Sequence, residues 1–552
     1  MKNKFLSMIA IASVLFGLNS CQDVEDLTPS VSHKGINSIT ASFIDDESSE
    51  NAFTSEIDTV SGIITVVFPY NYPTTSDNVL TIADLTNMRV SANLDDNVSI
   101  SPALLYMDFT KENYITVTDQ SKNKKRYQIV GEIRKSAECL ISNFELTSLG
   151  LSGVLDEANK TISLISVDPI GSALAKVTVS HGATMQPNPT TTALNYDNDV
   201  QITVTAQNGT SSAVYTVKKA VPSKTDFGLR AGSAKVLWSK KLNTDLGITT
   251  LQITGGMAVT KDYVVLNTRG VNSIYLNRKT GEKVGEIDLG ANKGNLINFY
   301  NTCDDDNNIL VCNLSPNAGA FKVWRIKGVT GAMESYIEWN GGLAIGRKLS
   351  VRGSLDGNAI ISAPILAAGN QFARWQVIGG VLQSQTPTIV TISGIGGNWN
   401  ANCDIVYTDP TNLNSDYFAA YYASPYKFTW VNGATNTVKA NGGLISSNWV
   451  QNATDYNVFN KCPYAVSNSV NSFTWGSDDK VYLYDVSTST GLSSTIWEAP
   501  IGTYGGKDNG GANGNATGDV ALKVSDNGYY MYLYFMFTNG CVVCVQYDCI
   551  SM

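Results

Sequence analysis

In the first part of the chain, apolar and polar positions alternate at a period of two, the pattern of a half-buried strand. Two segments show it twice over: "YITVTDQSKNKKRYQIV" from Tyr114 and "QITVTAQNGTSSAVYTV" from Gln201. Each reads as a strand, a polar turn after Gln120 or Gln207, and a second strand centred on Tyr127 or Tyr215. Alternation interrupted by Asn, Gly, Ser and Lys predicts a hairpin. Each hairpin closes a stretch the size of an Ig-like β-sandwich, so two such modules are predicted at 34–135 and 136–220. The Cys…Trp…Cys spacing of antibody domains is missing from both.

"VPSKTDFGLRAGS" (221–233) reads as a linker, and the pattern changes after it. Paired strands with tight turns now recur, each with a wholly apolar strand upstream. The hairpins are "SIYLNRKTGEKVGEIDL" from Ser273, with a turn at Thr280-Gly281, "AFKVWRIKGVTGAMESYIEW" from Ala320, "QFARWQVIGGVL" from Gln371, "KFTWVNGATNTV" from Lys427 and "KVYLYDVSTSTG" from Lys480. The apolar strands are "DYVVLN" (262–267), "NNILVCNL" (307–314), "GNAIISAPI" (357–365), "DYFAAYY" (416–422) and "YYMYLYFMF" (529–537). Phe321-x-x-Trp324 matches Phe372-x-x-Trp375, and "FTW" recurs at 428–430 and 473–475. Units of roughly 45–55 residues with about four strands each predict a β-propeller over 234–552. The last unit is one strand short. The orphan strand "AKVLWSKKL" (234–242) would complete it and remove an open sheet edge. Six blades are read, with seven as the alternative, because the register between 445 and 500 is ambiguous. The predicted class is all-β: two Ig-like sandwiches, then the propeller.

The N-terminus carries a different signal. Lys2 and Lys4 precede an apolar run from Phe5 to Leu18, too short for a stable membrane helix, and Leu18-Asn19-Ser20-Cys21 follows. This is the three-part pattern of a secretory signal over 1–20. Its last residues resemble a bacterial lipobox, which implies cleavage before Cys21 and a lipid on that thiol; a plain signal peptide is the alternative. The tether at 21–33 begins with "QDVED" after Cys21, similar to the acidic export signal of Bacteroidota surface lipoproteins. With the two "ITVT…Y" hairpins, the "VSHGATMQPN" stretch and the "NRKTGEKVGEIDL" style of blade, the chain resembles an uncharacterised family of those lipoproteins. That family has Ig-like modules before a propeller-like domain. The resemblance implies a lipid anchor in the outer membrane, facing the exterior. None of its motifs is catalytic.

A net charge of −9 and a pI near 5.0 argue against a nucleic-acid surface. All nine Trp lie between Trp238 and Trp497, whereas the two His, His33 and His181, precede the propeller. A propeller without His has no Ser-His-Asp or Cys-His triad and no His-ligated metal; Lys and carboxylate bases remain open. Glu is scarce there, with Glu282, Glu286, Glu334, Glu338 and Glu498, and a glycosidase needs two placed carboxylates. "CDDDNN" (303–308) reads as a polar turn, with a Ca²⁺ loop as the alternative. "GGKDNGGANGNATGD" (505–519) reads as a flexible blade junction, lacking the Lys-Ser/Thr ending of a phosphate loop. Cys541-x-x-Cys544 sits on a strand whose faces alternate, so the thiols are expected buried and unpaired. No cofactor or metal is expected.

One motif repeats outside the strands. "GGNWNANCD" from Gly396 and "GGLISSNWVQN" from Gly442 share Asn-Trp-x-x-Asn: Asn398, Trp399, Asn402 and Asn448, Trp449, Asn452. An exposed indole on a link across one face of the ring stacks on a pyranose, and amides match sugar hydroxyls. A structural peg, repeated because each repeat solves the same packing problem, is the competing account. The expected function is a non-catalytic, glycan-binding surface lipoprotein beside an outer-membrane import complex. A carboxylate-dependent glycan-cleaving enzyme and a protein-binding adhesion or assembly lipoprotein are the alternatives.

Overall fold

The computed structural model describes residues 35–551, apart from 46–50, 318, 367–368, 396–401, 422–426, 443–448, 472–473, 475 and 478. The chain divides into two compact units, Met1–Ala220 and Val221–Met552.

The first unit contains one strand path laid down twice. The first copy runs Ser99–Ser101, Asn113–Thr118, Lys124–Arg134, Ile63–Pro69, Phe53–Asp58, Ile36–Phe43, Met88–Leu94 and Tyr106–Met107. The second runs Thr184–Gln186, Val200–Thr205, Ser212–Ala220, Thr161–Ile165, Leu151–Asp156, Ile141–Leu146 and Lys176–Val179, matching the first seven strands in order. In both, the last long strand pairs in parallel with an early one, Lys124–Arg134 with Ile63–Pro69 and Ser212–Ala220 with Thr161–Ile165. The repeated hairpins share a register, Ile115 opposite Tyr127 and Ile202 opposite Tyr215. Both tyrosines are buried, each in the core of its own copy. The Tyr215 hydroxyl accepts from the Ile141 N–H at 3.1 Å and donates to Glu157 at 2.7 Å, so its polar tip is satisfied inside an apolar site.

The second unit is a six-bladed propeller. Blade 1 comprises Thr254–Val259, Tyr263–Thr268, Ser273–Asn277 and Lys283–Ile287. Blade 2 comprises Tyr300–Cys303, Asn308–Cys312, Phe321–Lys327 and Met333–Trp339. Blade 3 comprises Ser350–Gly353, Ala359–Pro364, Gln371–Ile378 and Val381–Leu382, with Thr388–Thr391 also on the third strand. Blade 4 comprises Cys403–Tyr407, Tyr417–Tyr421, Lys427–Asn432 and Thr437–Gly442. Blade 5 comprises Thr454–Phe459, Cys462–Asn471, Lys480–Asp485 and Trp497–Glu498; Trp449–Val450 also pairs with its long second strand. Blade 6 takes three strands from the C-terminal end, Gly518–Val524, Tyr530–Phe537 and Cys541–Asp548, and its outer strand, Lys235–Lys241, from the start of the domain. The ring therefore closes as the orphan strand predicts, with six blades and not seven.

The continuous apolar strands have a geometric cause. Both faces of a blade press on neighbours, so alternate residues of the second strand enter different cores. Val264 and Leu266 face the core shared with blade 6, while Val265 faces that shared with blade 2. Tyr417, Ala419 and Tyr421 face blade 3, while Phe418 and Ala420 face blade 5. Cys541 and Cys544 likewise enter different cores, and all eight described cysteines are free thiols. Trp375 and Trp430 lie in cores between blades.

Residues 221–233 lie along blades 5 and 6. Lys224 bridges to Ile550, the Leu229 N–H donates to the Tyr464 hydroxyl at 2.9 Å, and Arg230 forms two bonds to Asp548 at 2.7 and 2.6 Å. The stretch expected as a flexible junction at 505–519 is a close-packed corner. A Cβ on Gly505 would sit 2.0 Å from the Gly476 carbonyl, and the Asn513 amide donates to the Thr517 carbonyl at 2.7 Å. Among the described residues, no helix is long and apolar enough to cross a membrane.

Candidate functional site: the axial channel and its mouth

The first strand of every blade lies on the axis, and the channel between these strands is polar. Blade 4 contributes Asp404, blade 5 Thr454 and Asp455, and blade 6 Asp519. Each carboxylate reaches forward to the inner strand of the next blade. Asp404 accepts the Thr454 N–H at 3.0 Å, Asp455 the Leu522 N–H at 2.7 Å and Asp519 the Met257 N–H at 2.7 Å. Inner strands of neighbouring blades are not laddered together, so these bonds clasp the ring where no sheet can. Asp404 also accepts the Ser350 hydroxyl of blade 3.

Burial opposes the charge on these carboxyls. It raises Asp404 above the usual carboxylate range, and pushes Asp455 and Asp519 up to about 6. Cations offset part of that cost, Lys523 and Arg352 for Asp455 and Lys348 for Asp404 and Asp519. Lys348, 2 % exposed, donates to the Gly518 carbonyl at 2.7 Å and lies 3.3 Å from Asp519. Its ammonium is 4.6 Å from the centre of the Tyr300 ring, whose hydroxyl donates to Asp519 at 2.8 Å.

Above Lys348, where the inner strands begin, the channel opens into a mouth of different character. It is lined by Gln252, Arg269, Phe299, Arg347, Asn402 and Asn515, with Tyr300, Lys348 and Thr517 deeper. Gln252 is held by the Asn539 amide oxygen at 2.9 Å on its N–H, and its own amide oxygen accepts the Asn515 N–H at 3.1 Å. The Arg269 guanidinium lies 4.7 Å from the centre of the Phe299 ring and donates to the Gln252 carbonyl.

Of the repeated Asn-Trp-x-x-Asn motif, the last asparagine of each copy lies just before an inner strand, Asn402 on blade 4 and Asn452 on blade 5. Asn398, Trp399 and Asn448 fall outside the described residues, as do the Trp449 side chain and Cys21. The Trp449 backbone pairs with Asn471. Asn402, 7 % exposed, lines the mouth just before the blade 4 inner strand. Asn452 is fully buried just before that of blade 5. It exchanges bonds with Asn468, at 3.0 Å in both directions, and its amide donates to the Ala516 carbonyl. The two asparagines thus occupy related places and do different things. At 303–308, the Asp304 carboxylate accepts from the Asp306, Asn308 and Leu355 N–H groups and the Asn308 amide, all within 2.9 Å. Those four bonds make it the brace of a turn.

Sequence reasoning missed Asp404, Asp455, Asp519, Lys348 and the two mouth arginines. A faint signal exists. Asn402-Cys403-Asp404, Asn452-Ala453-Thr454-Asp455 and Asn515-Ala516-Thr517-Gly518-Asp519 all lead into inner strands, with the spacing drifting by one residue each time.

Comparison with known proteins places these features among families without an assigned role. Residues 236–548 match a family described as "Domain of unknown function (DUF8500)". Residues 16–131 and 141–219 match two others, described as domains of unknown function DUF5018 and DUF8499. A crystal structure of a DUF4623 family protein from Bacteroides eggerthii aligns with 75 % of this chain and 99 % of its own, at 17 % identity and a TM-score of 0.47. No functionally curated protein matches the chain.

Proposed function

The chain belongs to the family described as Domain of unknown function (DUF8500), and from that premise we propose that it is a non-catalytic glycan-binding lipoprotein. In this reading Cys21 carries the lipid in the outer membrane and the chain faces the cell exterior. The two N-terminal β modules are Ig-like spacers, and the propeller captures polysaccharide for an outer-membrane import complex. The observation that carries it is the mouth of the channel. Phe299 offers a ring, and Asn402 and Asn515 offer amides, around one opening at the start of the inner strands. A ring with convergent amides suits the apolar face and the hydroxyls of a sugar. The channel carboxylates favour binding over cleavage, because Asp404, Asp455 and Asp519 each spend an oxygen on a neighbouring blade.

Retention of residues 22–552 on immobilised polysaccharides tests the reading. Phe299→Ala and Trp399→Ala are expected to weaken retention several-fold while leaving the fold intact, since aromatic contacts of this kind contribute about 1 kcal/mol. Unchanged retention in both variants on every bound polymer would remove the mouth and its neighbouring motif as the binding site.

A further inference from the structure

We infer that residues 222–230 are a clasp that locks the closure of the ring: the closing strand, Lys235–Lys241, leaves blade 6 only after this segment lifts from blades 5 and 6. This lock holds whatever the mouth binds.

The closing strand needs one. In blades 1 to 5 the outer strand follows its partner strand directly in the chain, so a local turn returns it after any opening. Lys235–Lys241 instead pairs with Cys541–Asp548, from the other end of the domain. Returning a strand joined only through a long chain costs more entropy than closing a tight turn. Its packing is thin as well, since Trp238 is the one buried residue among its seven.

The segment ahead of it is seated through backbone, side chains and core at once. The Thr225 N–H donates to the Cys549 carbonyl at 2.7 Å, and the Ser551 N–H to the Ser223 carbonyl at 2.8 Å. The Tyr529 hydroxyl donates to the Pro222 carbonyl at 2.7 Å. On blade 5, the Gly228 N–H donates to the Asn460 carbonyl at 2.9 Å. The Asn460 amide donates back to the Thr225 and Gly228 carbonyls at 2.9 and 3.0 Å. The Arg230 guanidinium donates to both carboxylate oxygens of Asp548, and Leu229 packs on the core shared by blades 5 and 6. Gly228 fixes the seat. Its φ is +67°, and a Cβ there would lie 2.5 Å from the Tyr464 hydroxyl oxygen and 3.3 Å from the Cys462 Cβ. A side chain at this position would therefore lift the segment from blade 5.

Short tethers turn seating into locking. Residues 231–234 alone separate the clasp from the strand. Beyond the strand, Leu242, 1 % exposed, donates its N–H to the Gly540 carbonyl at 2.9 Å. The strand is thus pinned at both ends. A strand that detaches between two fixed points forms a closed loop and gains little conformational freedom, the main driving force for opening. Release of the clasp frees one end and restores that driving force. Chain order adds a mechanical consequence: a pull arriving along the chain from residue 220 meets the clasp before it meets the closing strand.

The test is hydrogen exchange on residues 22–552, read by mass spectrometry at 223–230, at 236–241 and in blades 2 to 4. Gly228→Val removes the seat. A flexible Gly/Ser insertion of about fifteen residues between Ala231 and Gly232 keeps the seat and slackens the tether. Exchange at 236–241 should quicken about tenfold or more in Gly228→Val, through lost hydrogen bonds that open the strand locally. The insertion should quicken it about threefold, from the longer loop alone, with 223–230 still protected. Blades 2 to 4 should exchange as in the parent. Rapid exchange at 223–230 in Gly228→Val with 236–241 unchanged would mean that the segment sits on the ring without locking it, and overturns the inference. Quickening spread equally over all blades marks a general loss of stability and overturns it too. If Gly228→Val does not fold, the insertion decides, and unchanged exchange at 236–241 there sinks the proposal.

Discussion

Asp455 shows what a single carboxyl on the channel axis does to the propeller. Its native range is raised to about 6 from the ordinary 3.8, so between those values the folded chain holds a proton that the unfolded chain has released. Stability from this group is therefore fully present at low pH and is lost as pH rises through about 6. Asp455→Asn cannot titrate, and its amide still accepts one N–H. The substitution should accordingly cost more at about pH 4 than at about pH 7, by roughly 1–2 kcal/mol, in denaturant unfolding. Equal costs at the two pH values would mean that Asp455 is ionised throughout. The contrast with the motif search is instructive. Trp399 and Trp449 stand out in a sequence because Trp is rare, whereas Asp404, Asp455 and Asp519 are hidden among many turn aspartates. Their distinction is position on the axis, which depends on six separate blades, and no local pattern encodes it.

Elements were far more legible than residues. Four of the five hairpins quoted from the propeller region form, because a strand pressed on both faces must be apolar throughout and a turn must be polar; in "KVYLYDVSTSTG" only Lys480–Asp485 is a strand, and its partner is Trp497–Glu498, beyond a 3-10 turn at Gly491–Ser493. The ambiguous stretch, 445–500, became blade 5, whose ten-residue second strand, Cys462–Asn471, accepts two short partners along one edge. A strand used that way breaks the regular spacing on which counting relies. Closure by Lys235–Lys241 was legible because an unpaired edge at each end has one economical solution. Trp238 anchors that strand, 7 % exposed, with its indole N–H donating to the Arg278 carbonyl at 3.0 Å. Trp238→Ala should destabilise the propeller by about 3 kcal/mol or more. All nine tryptophans lie in the second unit, so indole fluorescence follows that unit alone during unfolding. Gly281 faces the same indole. It has φ of +71°, and an added Cβ would lie 2.6 Å from the Trp238 ring. Gly281→Ala should lower the same transition by about 1–3 kcal/mol, and an unshifted transition would show that the turn tolerates a side chain. In the first unit, the hairpins were readable but the parallel pairings were not, since long-range parallel contacts leave no local spacing in the sequence.

For the whole molecule, the proposed function requires the proposed anchor and the opening to act together. If the anchor assignment holds, Cys21→Ala abolishes acyl labelling and releases the protein from the membrane, with the propeller still folded. Labelling that persists in Cys21→Ala would place the lipid elsewhere or nowhere. The ring imposes its own condition on folding from the N-terminus. Arg230 and Asp548 are 318 positions apart, and the last blade joins strands from both sides of that gap. A chain emerging from its N-terminus delivers Lys235–Lys241 early and must keep that strand unpartnered until the far end emerges. During that interval the growing array carries an open edge, which makes it a substrate for chaperones and vulnerable to proteases. Premature stops upstream of Cys541 should then yield no soluble fragment of the ring, even though five blades are encoded. The same adjacency makes the domain suitable for circular permutation: linking the ends beside blade 6 and cutting between two other blades would build the last sheet from contiguous sequence and shorten the wait.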